Sequence, residues 1–171
     1  MSGRIPATEV RPGDVALFQG TGPAFQILSR VLKWAEPKWD RWGWHMAVVV
    51  DVEGDRALIL EGTAPCSRTT WVELASWDVR FYRWLDVQVE HARIAGFVQT
   101  HTGRRYDVVV YVLTVLARLL RAVNLDFPRV INRAYTCWEL VWEFTDDCGC
   151  EITDEYHYPL LTDFLRACGD L

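Results

Sequence analysis

The strongest constraint on this chain is a pair of apolar runs separated by three residues. They are His45-Met46-Ala47-Val48-Val49-Val50-Asp51-Val52 and Arg56-Ala57-Leu58-Ile59-Leu60-Glu61, joined by Glu53-Gly54-Asp55. Both runs are short and rich in aliphatic residues, and Gly54 supplies the reversal, so the pair reads as an antiparallel hairpin. Neither run alternates apolar with polar, which means that other parts of the protein cover both faces. A three-residue loop, Val52-Glu53-Gly54 with Gly54 left-handed, pairs Asp51 with Asp55 and sets His45 opposite Glu61. Cross-strand neighbours have Cβ atoms about 5 Å apart, close enough for a carboxylate to hold an imidazole. A loop one residue different makes the pair diagonal. The competing reading is a solvated acid at a strand end and a surface histidine at a strand start.

The remaining elements are arranged around that hairpin. Arg11-Pro12-Gly13-Asp14 is a turn into a strand at Val15-Ala16-Leu17-Phe18, and Gly20-Thr21-Gly22-Pro23 ends it. Phe25 to Trp34 has a helical apolar spacing, and a loop carrying Trp34, Trp39, Trp42 and Trp44 leads into His45. Strands are expected over Thr69–Leu74 and Val79–Trp84. Val89, Ile94, Phe97 and Val98 form a helical stripe from Val87 to a stop at Gly103. Further helices are expected over Asp107–Val123, Cys137–Thr145 and Leu160–Ala167. With no internal repeat and no linker, residues 1–171 read as a single domain. The fold class is α+β, a small antiparallel β-sheet or barrel packed with helices.

Composition narrows the function classes. A chain of 171 residues buries roughly 70% of its unfolded surface and needs no cross-links to fold. It is 50% hydrophobic and 24% charged, which excludes a disordered tail. With 18 basic against 23 acidic residues and a net charge of −5, the balance argues against nucleic acid as the main partner, since phosphate binding needs a basic face. The cysteine count, 5, is odd, so at least one thiol has no partner within the chain. Met1 to Glu9 contains no apolar h-region, so no secretory signal is expected. A reducing compartment and free thiols are expected, with the cytoplasm or a virion as the expected location. The longest apolar stretch, Val108 to Ala117, is too short for a transmembrane helix.

Thr136-Cys137-Trp138-Glu139 fits a capping box, with Thr136 as N-cap, Glu139 at N3, and Leu140, Val141 and Phe144 as the apolar stripe behind. Cys137 is then the first helical residue, beside unpaired backbone N–H groups and the positive end of the helix dipole. Such a position favours a thiolate and can also bind a developing oxyanion. A buried, inert cysteine is the competing reading. Cys66 and Cys168 lack comparable surroundings. Cys148-Gly149-Cys150 with His157 matches no standard zinc spacing, so neither a metal nor a cofactor is assigned. A thiol nucleophile needs an imidazole and a third group to orient it. Among His45, His91, His101 and His157, only His45 opens a strand beside a candidate carboxylate. His101, near a helix end, reads as a surface residue.

In order, the chain carries a Pro-Gly-Asp turn and strand, His45 opening a strand, and Glu61 ending the next. Gly103-Arg104-Arg105-Tyr106-Asp107 follows, then Thr136-Cys137-Trp138-Glu139-Leu140-Val141, then Pro159 before a last short helix. This order resembles the circularly permuted branch of the NlpC/P60 superfamily, the papain-like fold in which His precedes Cys, and within it the YiiX/YaeF-like group. The resemblance spans about residues 11 to 165 and lies in short motifs and their order. It implies Cys137 as nucleophile, His45 as general base and Glu61 as the orienting residue of a catalytic triad. It also makes Trp44, Trp138 and Tyr106 candidate substrate-binding positions. Trp44 stands where a small or polar residue usually precedes the His, and Trp138 replaces the usual Ser after the Cys.

The leading expectation is therefore a cysteine hydrolase, peptidase- or amidase-like, that cleaves an amide bond through an acyl-enzyme. A peptidoglycan-type peptide is one candidate substrate. The alternative within the fold is a lipid acyltransferase or thioesterase, suggested by the apolar segment 108–123, which could lie on a membrane surface. A buried core helix is the plainer reading of that segment. The alternative outside enzymes is a binding module that uses the Trp-rich loop. The expected partners are a peptide or acyl substrate, with peripheral membrane or cell-wall contact, and no nucleic acid. The oligomeric state is unknown from sequence.

Overall fold

A computed structural model describes residues 4–20, 42–83, 89–107 and 136–149, with Gln26, Arg30 and Leu116 as isolated helical positions. Six strands, β1 (Arg4–Ile5), β2 (Val15–Gln19), β3 (Trp42–Glu53), β4 (Arg56–Glu61), β5 (Arg68–Glu73) and β6 (Val79–Tyr82), form one sheet. Its order is β1-β6-β2-β3-β4-β5, and every pairing is antiparallel. The described helices are α1 (His91–His101) and α2 (Cys137–Asp147), so the architecture is α+β as expected.

The unbroken apolar character of β3 and β4 has a direct structural counterpart, because each face of the sheet carries its own cluster. Val15, Leu17, Met46, Val48, Val50 and Leu60 pack with Ile94 and Phe97 of α1 and with Cys137, Trp138, Leu140, Val141 and Phe144 of α2. Ala16, Ala47, Val49, Ala57, Ile59 and Phe81 form the second cluster on the opposite face. Burial of this kind contributes roughly 25 cal/mol per Å² of apolar surface and is the main force holding the helices to the sheet.

The β3–β4 hairpin departs from its expected register. Its loop has two residues rather than three, Gly54 (φ +62°) and Asp55, so Glu53 pairs with Arg56 instead of Asp51 with Asp55. Continued unbroken, that register would set Val48 opposite Glu61 and turn the carboxylate away from the face of His45. A β-bulge between Val49 and Asp51 shifts the pairing by one residue and sets Ala47 opposite Glu61. His45, two residues before Ala47, thus shares a face with Glu61 but is its diagonal neighbour, not its direct partner.

Three smaller corrections follow from packing. Trp42 and Trp44 belong to β3 and not to a preceding loop, because β2 pairs with this stretch as far as Trp42 opposite Gln19. Helix α1 begins at His91 after Glu90, so Val89 lies before the helix and packs over Gly13, whose φ is +95°. His101 is buried, its ring stacked on Phe97 at 3.9 Å and its Nδ1 3.7 Å from Glu143 of α2. The helices expected over Phe25–Trp34, Asp107–Val123 and Leu160–Ala167 lie outside the described residues, apart from Gln26, Arg30, Asp107 and Leu116. Among the described residues no helix is long and apolar enough to cross a membrane.

Candidate active site

Helix α2 starts as its local sequence dictates. The Thr136 hydroxyl accepts from the Glu139 N–H at 3.3 Å, and the Thr136 N–H donates to Glu139 Oε2 at 2.8 Å, completing the capping box. This pair fixes Cys137 at the first helical position, where its backbone N–H has no acceptor within the helix. The side chain of Cys137 is 1% exposed.

Gly62, immediately after β4, is what lets the helix start come so close. A Cβ there would lie 3.1 Å from Cys137 Cα and 3.2 Å from both Cys137 N and Thr136 O. Those atoms are backbone, so any larger residue forces the start of α2 away from the strand.

His45 links the two sides. Its Nε2 donates to Glu61 Oε2 at 2.7 Å, so Nδ1 is the ring nitrogen that Glu61 does not engage, and the Cys137 side chain lies near enough to the imidazole to influence its charge. Phe18, directly opposite on β2, holds the ring in a tilted contact with centroids 5.5 Å apart. The His45 side chain is 22% exposed, so solvent reaches the pair from the imidazole side. Burial pushes the His45 pKa down, but the Cys137 sulfur and the Glu61 carboxylate together outweigh it and raise the value to about 10. Burial pushes the Glu61 pKa up, and hydrogen bonds and charge from His45, then Arg68 and Thr70, bring it down to about 2.

The carboxylate has further partners that the sequence did not reveal. Glu61 Oε1 accepts from Arg68 Nε and from Thr70 Oγ1, each at 3.0 Å. Both donors lie on β5, Arg68 directly opposite Glu61 and Thr70 two residues on, along the same face. An i, i+2 pair of donors on an expected strand was a visible signal, but it meant nothing until the register of β5 against β4 was known.

The three candidate substrate-binding residues lie on three different stretches of the chain. Trp138 is 4% exposed and packs in the core between α2 and the sheet. Tyr106 is half-buried beyond α1, where its N–H donates to the Pro65 carbonyl at 3.0 Å. Trp44 lies on β3 one residue before His45, and its side chain is outside the described atoms. The Gly103–Asp107 motif meets the β4–β5 connection through Gly103 N–H to the Ser67 carbonyl and a bridge between Cys66 and Arg105. Cys66, Cys137 and Cys148 form no disulfide, and among the described residues no group of His, Cys, Asp and Glu could hold a metal ion. Cys150, Cys168 and His157 lie outside the described residues. No protein-family profile matches the chain, and no curated protein is significantly similar to it.

Proposed function

We propose that this chain is a cysteine-dependent hydrolase of the circularly permuted NlpC/P60, papain-like kind, and that it cleaves an amide bond through an acyl-enzyme. The observation that carries the reading is the position of His45, hydrogen-bonded to Glu61 and close to Cys137, which stands at a helix start. Nucleophile, base and orienting carboxylate in that connectivity are what acyl transfer by a thiol needs.

In the proposed reaction the Cys137 sulfur attacks the substrate carbonyl with its proton already held by His45, whose raised pKa keeps the imidazole charged. The carbonyl oxygen becomes an oxyanion, to which the Cys137 backbone N–H donates. Collapse breaks the C–N bond, and His45 delivers its proton to the departing amine. Water, deprotonated by His45, then attacks the thioester, releases the acid and restores the thiol. Glu61 stabilises the imidazolium throughout.

The test is turnover of a panel of amide and ester acyl probes, peptidoglycan-type peptides included, by the intact protein and by Cys137→Ala. Release from amide probes that needs Cys137 supports the proposal. Cys137-dependent transfer from esters alone to a lipid or amine acceptor assigns the acyltransferase alternative instead. Turnover indifferent to Cys137→Ala refutes both.

A further inference from the structure

A glutamate side chain has three rotatable bonds, and an orienting carboxylate that is free to turn orients nothing. Glu61 is held against such turning on both sides. Ala47, its partner on β3, is small and fully buried and leaves room for the carboxylate to lean diagonally to His45. On β5, Arg68 and Thr70 both donate to the same oxygen, Oε1, so that Oε2 is presented to His45. The two donors differ in character. Arg68 is 63% exposed, so its charge is largely screened by water. Thr70 is half-buried, β-branched and restricted at χ1, so its hydroxyl has few other directions to point.

We propose that Arg68 and Thr70 are positioning residues of this site. By occupying Glu61 Oε1 together they fix the carboxylate so that Oε2 holds His45 Nε2, and thereby aim Nδ1 at the Cys137 sulfur. Thr70 supplies the stiffer restraint and Arg68 the cation. This assignment rests on the hydrolase reading only for its kinetic consequence, since the geometry it describes can be read without turnover.

Two measurements test it. The first is the far-downfield proton resonance of the His45 Nε2–H, which reports the hydrogen bond to Glu61 directly. It should be present in the parent protein and in Thr70→Ser, which keeps the hydroxyl. It should broaden or move upfield in Thr70→Val, and more so in Arg68→Met with Thr70→Val. The second is Cys137-dependent turnover, where Thr70→Val should lower kcat by roughly tenfold or more with KM unchanged, as loss of a group that orients a catalytic partner does, and Thr70→Ser should restore it. An unchanged resonance in the double variant overturns the proposal, as does its absence from the parent. A raised KM at unchanged kcat also overturns it, because the residues would then be touching substrate. Absence of Cys137-dependent turnover in the parent refutes the hydrolase reading instead, and the resonance alone then decides the positioning role.

Discussion

At the scale of single residues the site is unequal. In the proposed reaction Cys137→Ala removes the bond-forming atom and His45→Ala removes both proton transfers, so each should abolish turnover. Glu61→Gln should leave a measurable remnant. Its amide carbonyl can face His45, because Arg68 is exposed enough to turn to water and the Thr70 hydroxyl can rotate to accept from the amide. The loss of rate should be roughly 50- to 100-fold smaller than for the other two, as when an orienting acid is lost rather than a nucleophile. Gly62 has no side chain to contribute and still constrains the chemistry. Gly62→Ala presses on the backbone of Thr136 and Cys137, and should destabilise by about 1–3 kcal/mol. Because the contact is at the proposed nucleophile, kcat should fall further than that stability loss explains, which urea titration and kinetics on the same sample would separate.

At the scale of elements, two local devices point the side chains. The capping box sets where α2 begins, and the bulge sets which face of the hairpin Glu61 occupies. The bulge compensates for a turn that by itself imposes the wrong parity. Deleting Val50 should straighten β3 with both flanking registers intact, because Val49–Ile59 and Asp51–Leu58 then follow one another directly. The cost is a lost core valine, about 1–3 kcal/mol, while Cys137-dependent turnover persists. Inserting one residue between Ala47 and Val48 moves His45 to the opposite face and should abolish turnover. If the two variants had equal activity, the bulge would not be what brings His45 and Glu61 together.

At the scale of the whole molecule, the interactions of His45 with Cys137 and Glu61 tie stability to pH. The His45 pKa is raised from 6.5 to about 10, so its contribution is complete below 6.5 and is lost as the pH rises through about 10. The Glu61 pKa is lowered from 4.5 to about 2, so its contribution is complete above 4.5 and is lost as the pH falls towards 2. The two windows overlap between 4.5 and 6.5, where the urea midpoint should be highest as far as this pair governs it. In His45→Asn the alkaline decline between 6.5 and 10 should flatten. A decline as steep as the parent's would place its origin elsewhere in the molecule.

The sequence by itself determined what short-range physics decides. The limits of β4, the left-handed Gly54 and the helix start at Thr136–Glu139 all follow from patterns within a few residues, and the structure has them where those patterns lie. The apolar faces of β3 and β4 likewise announced a sheet buried on both sides. Tertiary structure decided the rest. The bulge at Val50 reconciles a turn at one end of the hairpin with a register at the other, which no local pattern encodes. His101 becomes a core residue only because α2 packs on Phe97 and brings Glu143 beside it. Arg68 and Thr70 serve Glu61 because β5 pairs with β4 in one register, and Gly62 matters because a distant helix starts against it. Each of these depends on which two distant stretches of chain come into contact, and packing of the whole sheet and helices selects that contact.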